Sequence, residues 1–566
     1  MTEEKRPTAA TDGAQPPPGS GGQPGRRAAT STSVGALREP QFRSLWVAAL
    51  ASNIGLWMTN VAAAWLMTEL SNSDTLVALV QTVTYLPMFL VGMLSGALAD
   101  VADRRRILLV AQATVGITAA ALGVLTLNGS VTPLLLLALT FVIGFGTALL
   151  LPAWQAIIPD TVRREVVPSA IALNAAGINV ARASGPALGG LIIAVAATGW
   201  VFLAGAWLSI GLFVALLRWH HTPPEPVGPG ERVAGAVRAG GRYIRHSPTL
   251  RAVLVRTGIF TLFASSIWAL LPLVARAELD LDAAGYGGLL ACVGLGAAGG
   301  AAMLPSLQGR LSLDVLAAAA SAVFAGTLVC LSVLEVVPLL AVALAIGGVA
   351  WVAVLASLTT AMTTASPAWV RARSMGVYLL VLQGGLAIGS ALWGALAHGL
   401  GRPVSLALAA GGLILTLPLA HRWRVGAVEL DLTPSPRRNE LNLVGEPGHD
   451  AGPVMVLVDY RIDPEDADAF IQGVRELGAV RRRDGASSWG IFRDSTDVSR
   501  YLETFVVESW GEYLRQRARL TVADVALQER VRAFHKGDEP PRVFRFIDPG
   551  VGPTRLMRRG RTTPLV

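Results

Sequence analysis

Residues 96–106 read Gly96-Ala-Leu-Ala-Asp100-Val-Ala-Asp103-Arg104-Arg105-Arg106, a charged loop set between the apolar runs 75–99 and 106–127. Each run exceeds the roughly 20 residues a helix needs to cross a bilayer. Reading outward from this loop, the pattern repeats until twelve apolar helices are counted. They lie near 43–68, 75–99, 106–127, 132–152, 167–197, 199–218, 250–275, 284–305, 311–334, 336–363, 370–399 and 403–423. The connections alternate in charge. The even-numbered spans are followed by Arg104–Arg105–Arg106, then Arg163–Arg164, then Arg232, Arg238, Arg242 and Arg245, then Arg310, then Arg371 and Arg373. The opposite loops hold no Arg or Lys, and only Arg276 and Arg402 break the pattern. Basic loops stay in the cytoplasm, which predicts cytoplasmic termini and a cytoplasmic 219–249 loop. A soluble bundle of buried helices is the alternative, and the alternating loop charge weighs against it.

Composition points the same way. Of 566 residues, 52% are hydrophobic and 15% charged, against about 25% charged in soluble domains. An ordinary soluble enzyme is excluded. The net charge of +8 raises nucleic acid as a partner, but the arginines fall in short loops between apolar runs. The lipid bilayer is therefore the expected partner, with no nucleic acid. Cys292 and Cys330 both sit in apolar runs, so neither a disulfide framework nor a metal site is expected. No cofactor is called for, and the absence of a GxxxxGK[ST] loop argues against ATP-driven transport.

The chain divides at its polar stretches. Residues 1–37 form an arm rich in Pro, Gly, Ser and Thr, expected to be disordered. The arm lacks the apolar segment of a signal peptide. Residues 38–222 and 249–424 form two six-helix bundles around a central loop, 223–248. A linker (425–452), a compact unit (453–549) and a tail (550–566) follow. The bundles echo each other. Pro159-Asp-Thr-Val-Arg163 opens the fifth span and Pro367-Ala-Trp-Val-Arg371 the eleventh, and Gly185-Pro-Ala-Leu-Gly-Gly190 matches Gly389-Ser-Ala-Leu-Trp-Gly394. Parallel six-helix halves with a midplane site at their interface are one construction of secondary transporters. The expected fold is an all-α polytopic membrane protein of two pseudo-symmetric bundles plus a small α+β domain.

Candidate site residues lie in three groups. In the loop, an Asp at a helix end can pair with arginines and with a neighbouring helix N-terminus. Gly96, Asp100, Asp103, Arg104 and Arg105 are thus gate candidates, or else they only set topology. In the fifth span, Gly177, Ala181, Gly185 and Gly189 recur every four residues, a small stripe that admits another helix closely. Pro186 bends that helix and frees a carbonyl. Arg182 lies 14 positions after Pro168, about 21 Å along the helix and near the bilayer centre. A charge there is costly and by default functional. It either binds an acidic substrate group or anchors neighbouring spans. Asn179 and Asn174 share its face. Asn53, Trp57 and Asn60, then Gln81 and Tyr85, then Ser265, Ser266 and Trp268, then Tyr378 and Gln383, either line a cavity or hold helices together. Arg256 is expected to snorkel. No Asp or Glu falls mid-span, so protons, the expected coupling ion, would use Asp100, Asp103 or Asp314 or travel on the substrate.

The C-terminal unit has a different code. Val454, Val456, Val458, Tyr460 and Ile462 alternate as a strand. Helices are predicted over 463–480 and 510–536, with strands at 487–494, 500–509 and 541–548. The order β-α-β-β-α-β is ferredoxin-like.

Several strings carry a family resemblance. Gly96, Leu98, Ala99, Asp100, Arg104 and Arg105 match the G-x-L-A-D-R-x-G-R-R loop of the major facilitator superfamily, with Val101 and Asp103 departing from it. Gly185-Pro186-Ala-Leu-Gly189-Gly190 resembles the antiporter motif of that superfamily's exporters, with Ala181 where a second Gly is common. The strings 152–162, 173–190 and 377–397 look like the transmembrane secretion effector branch, related to the enterobactin exporters. The resemblance covers 38–549. It implies alternating access and export of siderophores, lipophilic drugs or secondary metabolites across a bacterial inner membrane. An importer of the same fold is a further alternative. The C-terminal unit resembles the antibiotic-biosynthesis monooxygenase group of small dimeric barrels. This implies pairing of two copies, with Trp489, Trp510 and His535 available to line a cleft. A membrane-tethered, cofactor-free monooxygenase is the competing reading, and a regulatory or pairing role is preferred.

Overall fold

The computed structural model describes residues 33–101, 103–219, 233–426, 431–435 and 447–549. The predicted arm lies mostly outside them, but its end is ordered. Ser33–Arg38 forms a helical turn, and Ala36 is buried against the first bundle.

The first bundle comprises α1 (Pro40–Leu70), α2 (Asp74–Val101), α3 (Arg104–Leu127), α4 (Pro133–Ile157), α5 (Val167–Val195) and α6 (Thr198–Arg218). A helix, α7 (Val233–His246), occupies the central segment that the sequence reading left as a loop. The second bundle comprises α8 (Pro248–Ala277), α9 (Ala283–Gln308), α10 (Leu313–Val333), α11 (Val337–Thr364), α12 (Arg371–Leu400), α13 (Arg402–Leu415) and the short α14 (Leu419–Arg422). The helix starts obey local chemistry. Thr132, Ser247, Asp282 and Ser312 each accept a bond from a backbone N–H three residues on, satisfying donors that the first turn leaves open.

Eleven described helices are long and apolar enough to cross a membrane. The twelfth expected span, 403–423, differs. Its apolar helix stops after 14 residues at Leu415, and a turn through Thr416, Leu417 and Pro418 separates it from α14. Pro418 has no N–H to donate and disfavours helical backbone before it, which accounts for the break.

The two bundles meet firmly at the end whose loops are poor in arginine. Arg402 of the second pairs with Asp74 of the first at 2.9 Å and approaches Glu278 at 4.0 Å. Arg276 donates to Thr68 at 3.0 Å and lies over the Trp65 ring. Trp65 stacks on Tyr286 with centroids 5.9 Å apart. The two arginines that break the loop-charge rule are therefore the ones that join the halves. The largest apolar cluster runs across this junction, from Met58 and Val77 to Leu270 and Tyr286. A second cluster, around Phe42, Leu108, Trp154 and Leu216, holds residues of the first half alone.

The C-terminal unit runs β1 (Val454–Arg461), α15 (Ala467–Asp484), β2 (Ala486–Arg493), β3 (Arg500–Val507), α16 (Trp510–Ala518), α17 (Val522–Arg532) and β4 (Arg542–Ile547). Its strands form one antiparallel sheet in the order β2-β3-β1-β4. The predicted helix 510–536 is two helices. Thr521 caps α17 reciprocally with Asp524, and a capping box of this kind starts a new helix rather than continuing an old one. Phe470, Val474 and Leu477 of α15 pack on Val458, Tyr460 and Tyr501 as their spacing predicts. The opposite sheet face leaves Met455, Phe492, Phe544 and Phe546 exposed.

This unit docks on the transmembrane part. Glu512 accepts from Arg242 of α7 at 3.2 Å, Arg483 lies over Tyr243 at 5.2 Å, and Arg519 lies over Trp369, just before α12, at 4.3 Å. Tyr243 and Trp369 meet edge to face. Burial pushes the Tyr243 hydroxyl up, with Arg483 opposing.

Candidate substrate-binding site

The site is built on α5, which passes between α1 and α9. The predicted stripe faces α1. A Cβ on Gly177 would lie 3.3 Å from Trp46 Nε1, one on Gly185 would lie 2.5 Å from Trp57 Cβ, and one on Gly189 would lie 3.2 Å from Met58 Cα. Gly190 and Pro186 instead meet α9 in the other half, where Gly287 lies so close that a Cβ would fall 2.5 Å from the Pro186 carbonyl oxygen. The carbonyl of Arg182, four residues before Pro186, receives no helical bond from it. It faces Gly294, where a Cβ would come within 2.8 Å.

These approaches bring Arg182 to a small cavity between the halves. Trp57, Asn60 and Val61 of α1, Gln81 and Tyr85 of α2, and Arg182 and Pro186 of α5 line one side. Trp268 of α8 and Tyr286, Leu290 and Gly294 of α9 line the other. Arg182 lies over the Trp57 ring at 5.6 Å, a cation–π contact. Among the described residues Arg182 makes no ion pair. Trp268 Nε1 is buried with no acceptor among the described residues. A buried donor left unpaired costs about 1–3 kcal/mol, so the cavity favours a hydrogen-bond acceptor. The cavity measures about 20 Å³, room for a water and little more.

Six of the ten predicted binding residues thus converge: Trp57, Asn60, Gln81, Tyr85, Arg182 and Trp268. Four do not line the cavity. Asn53 donates to Ala49 in its own helix. Tyr378 is buried in the second half, where its hydroxyl accepts from Thr359 at 3.1 Å. Asn179 and Gln383 are half-buried outside the cavity wall. Asn174 accepts from Trp154 Nε1 at 3.0 Å. Ser265 and Ser266 bond carbonyls of their own helix. Tyr286, Leu290 and Gly294 were missed. The only signal was the run of small residues through 285–300, which marks a close helix crossing.

In the loop, Asp103 caps α3 by accepting from Arg105 N at 2.9 Å, and it also pairs with Arg106. Arg104 reaches Asp160 at 3.4 Å. Arg105 donates to the carbonyls of Leu216 and Leu217 at the end of α6, where a cation suits the helix dipole. Gly96 and Asp100 fall in the last turns of α2, and the Asp100 side chain lies outside what the structure describes. Arg256 does not snorkel to solvent. It pairs with Asp314 at 2.5 Å, and Asp314 also accepts from Val425 N and Gly426 N. In the C-terminal unit, Trp489 donates to Glu503, Trp510 packs against Tyr513, and His535 accepts from Arg461 N. The three expected cleft residues are thus spread through separate contacts.

A family model described as transmembrane secretion effector matches residues 31–551. The chain belongs to that family. As a secretion effector it is a multi-pass membrane transporter of the major facilitator type and not an enzyme, in line with its relatives. The enterobactin exporter EntS of Shigella boydii serotype 4 (strain Sb227) is 30% identical over 399 residues, covering 68% of this chain and 93% of that protein. The EntS of Escherichia coli O1:K1 / APEC aligns to the same extent. Among solved structures, the fold matches a bacterial homolog of the human lysosomal transporter Spinster in an inward-facing, occupied conformation. There the TM-score is 0.55 at 15% identity, over 69% of this chain and 97% of that one. It also matches the nucleoside transporter NupG, with a TM-score of 0.52 at 12% identity, over 68% and 98%. These likenesses establish the secretion effector's transporter fold.

Proposed function

We propose that this secretion effector is a proton-coupled exporter of an acidic, aromatic small molecule, such as a siderophore or a lipophilic secondary metabolite, working by alternating access in a bacterial inner membrane. One observation carries the reading. Arg182 makes no ion pair among the described residues and lies in a cavity walled by Trp57, Tyr85, Trp268 and Tyr286 from both halves. A guanidinium beside aromatic faces suits an acidic ring, and EntS relatives named for enterobactin export agree in class. The firm junction at the arginine-poor end supports an inward-open state, with both termini cytoplasmic by the loop charges. The loop around Asp103, Arg104 and Arg105 then acts as the cytoplasmic latch. Asp103 and Asp314 are both structurally engaged, which leaves Asp100 or the substrate itself to carry the proton.

The short α13 counts as the twelfth span, eked out by α14. The C-terminal unit is ferredoxin-like by its strand order. Its open face, with Phe544 and Phe546 exposed on one edge strand and Phe492 on the other, serves to pair two copies, since an exposed apolar face marks an interface.

The test uses a host stripped of its own efflux pumps. Accumulation of a siderophore and drug panel is measured with the parent chain, Arg182→Ala, Arg182→Lys and Asp100→Asn, with and without a protonophore. The parent should lower accumulation of at least one acidic aromatic compound. Protonophore, Arg182→Ala and Asp100→Asn should abolish that effect, and Arg182→Lys should retain part of it. Full activity of folded Arg182→Ala and Arg182→Lys sinks the substrate role of Arg182.

A further inference from the structure

A second cleft, larger than the central cavity, lies in the C-terminal unit between the inner sheet face and helices α16 and α17, with a volume of about 640 Å³. That is the size of a small-molecule site, typically about 300–1,000 Å³. The break between α16 and α17, absent from the sequence reading, puts residues of both helices on its wall. Its floor is apolar, from Val456, Val458 and Val543, with Tyr460 and Phe505 beside them.

The walls are strongly basic. Four arginines, Arg481, Arg517, Arg532 and Arg545, line the cavity against one glutamate, Glu529. Three of them are held in place. Arg481 lies over the Phe505 ring at 4.8 Å and reaches Glu503 at 3.4 Å. Arg545 donates to the Tyr513 hydroxyl at 2.6 Å. Arg517 lies over the same Tyr513 ring. Arg532 stands exposed on the last turn of α17. Arg481 has the Glu503 carboxylate as its counter-charge, but Arg532 and Arg545 make no ion pair among the described residues, and two such charges beside an apolar floor favour an anion between them. Guanidinium forks match a carboxylate in geometry.

We propose that this cleft is a second ligand site, separate from the Arg182 cavity, which takes an aromatic carboxylate. The acid group lies among the arginines and the ring on the valine floor. The site adjoins the docking contact. Helix α16 gives Tyr513, Gln516 and Arg517 to the cleft and Glu512 to Arg242 of α7. An occupied cleft thus lies one helix away from the transmembrane part. The inference stands on the cleft alone and does not depend on the transport reading.

Equilibrium dialysis of the full chain in detergent, with 2-naphthoate as probe and 2-naphthylmethanol as its neutral counterpart, tests it. In an Arg182→Gln background, which disables the central site, one saturable naphthoate site per chain should remain. Arg532→Gln with Arg545→Gln should weaken it at least about tenfold, the loss of one charge-assisted contact. The neutral compound should bind at least as much more weakly. Arg532→Gln alone, at an exposed position, keeps the test alive should the double variant aggregate, and should itself weaken binding several-fold. The proposal is overturned by equal binding of the neutral compound, by unchanged affinity in the folded cleft variants, or by no saturable binding up to millimolar probe. Loss of binding with Arg182→Gln alone also overturns it, and would assign the site to the membrane cavity instead.

Discussion

Helices α5 and α12 occupy corresponding places in the two halves and carry nearly the same packing code. Gly185–Gly190 on α5 and Gly389–Gly394 on α12 each bring a backbone against the opposite half, α5 on α9 at Gly287 and α12 on α2 at Ala78. Three residues before the first glycine of each string the likeness ends. There α5 has Arg182, facing the cavity, while α12 has Leu386, buried at 3% exposure in the main apolar cluster. The repeat sets how the halves meet, and departure from the repeat sets the chemistry.

The sharpest test of that contrast copies the charge across. Leu386→Arg buries a second guanidinium in an apolar position, at a cost of about 3 kcal/mol or more. Size-exclusion of the solubilised protein should show loss of the folded monodisperse peak. The reverse copy, Arg182→Leu, should leave folding intact and reduce efflux about 30-fold or more, as losing a desolvated charge contact of roughly 2–5 kcal/mol would. Normal efflux from this variant breaks the comparison. Gly287→Val probes the shared packing code instead. The added methyls meet the Pro186 carbonyl and should destabilise by about 1–3 kcal/mol, read as a lowered midpoint in thermal unfolding.

Comparable or smaller effects are expected where the halves join through charges. Asp74→Asn removes the carboxylate charge that Arg402 bonds twice, with Asp74 buried at 8% exposure, and should destabilise the junction by about 1–3 kcal/mol. Spin-label distances across the arginine-poor end should shift by a modest population, toward separation. Smallest is Arg242→Gln, which loosens the C-terminal dock at Glu512. Limited proteolysis should cut the linker faster by a factor of about two or three, with the Arg483–Tyr243 and Arg519–Trp369 contacts retaining most of the dock.

Much of this was legible beforehand. The spans and the small stripe on α5 follow from hydropathy and periodicity. Six of the ten binding candidates reach the cavity because a helix of known pitch puts Trp57, Asn60 and Arg182 on defined faces. Asn53 and Tyr378 fail because a polar side chain in a membrane helix finds a carbonyl or hydroxyl nearby as readily as a cavity. The ends of α13 and α16 were misread because one proline and one capping box outweigh an otherwise continuous apolar pattern. Arg402 and Arg276 looked like exceptions to loop charge. Only their distant partners, Asp74 and Thr68, explain them.

The amino-acid sequence by itself determined the transmembrane architecture, the twofold repeat and the presence of a separate α+β unit. Those depend on hydropathy and on contacts within a few residues. Tertiary structure alone decided which end joins the halves, that Tyr286 and Gly294 complete the Arg182 cavity, and that four arginines from three helices and a strand line one cleft. Each of these needs residues tens to hundreds of positions apart to be brought within a few ångströms, and no local pattern records that distance.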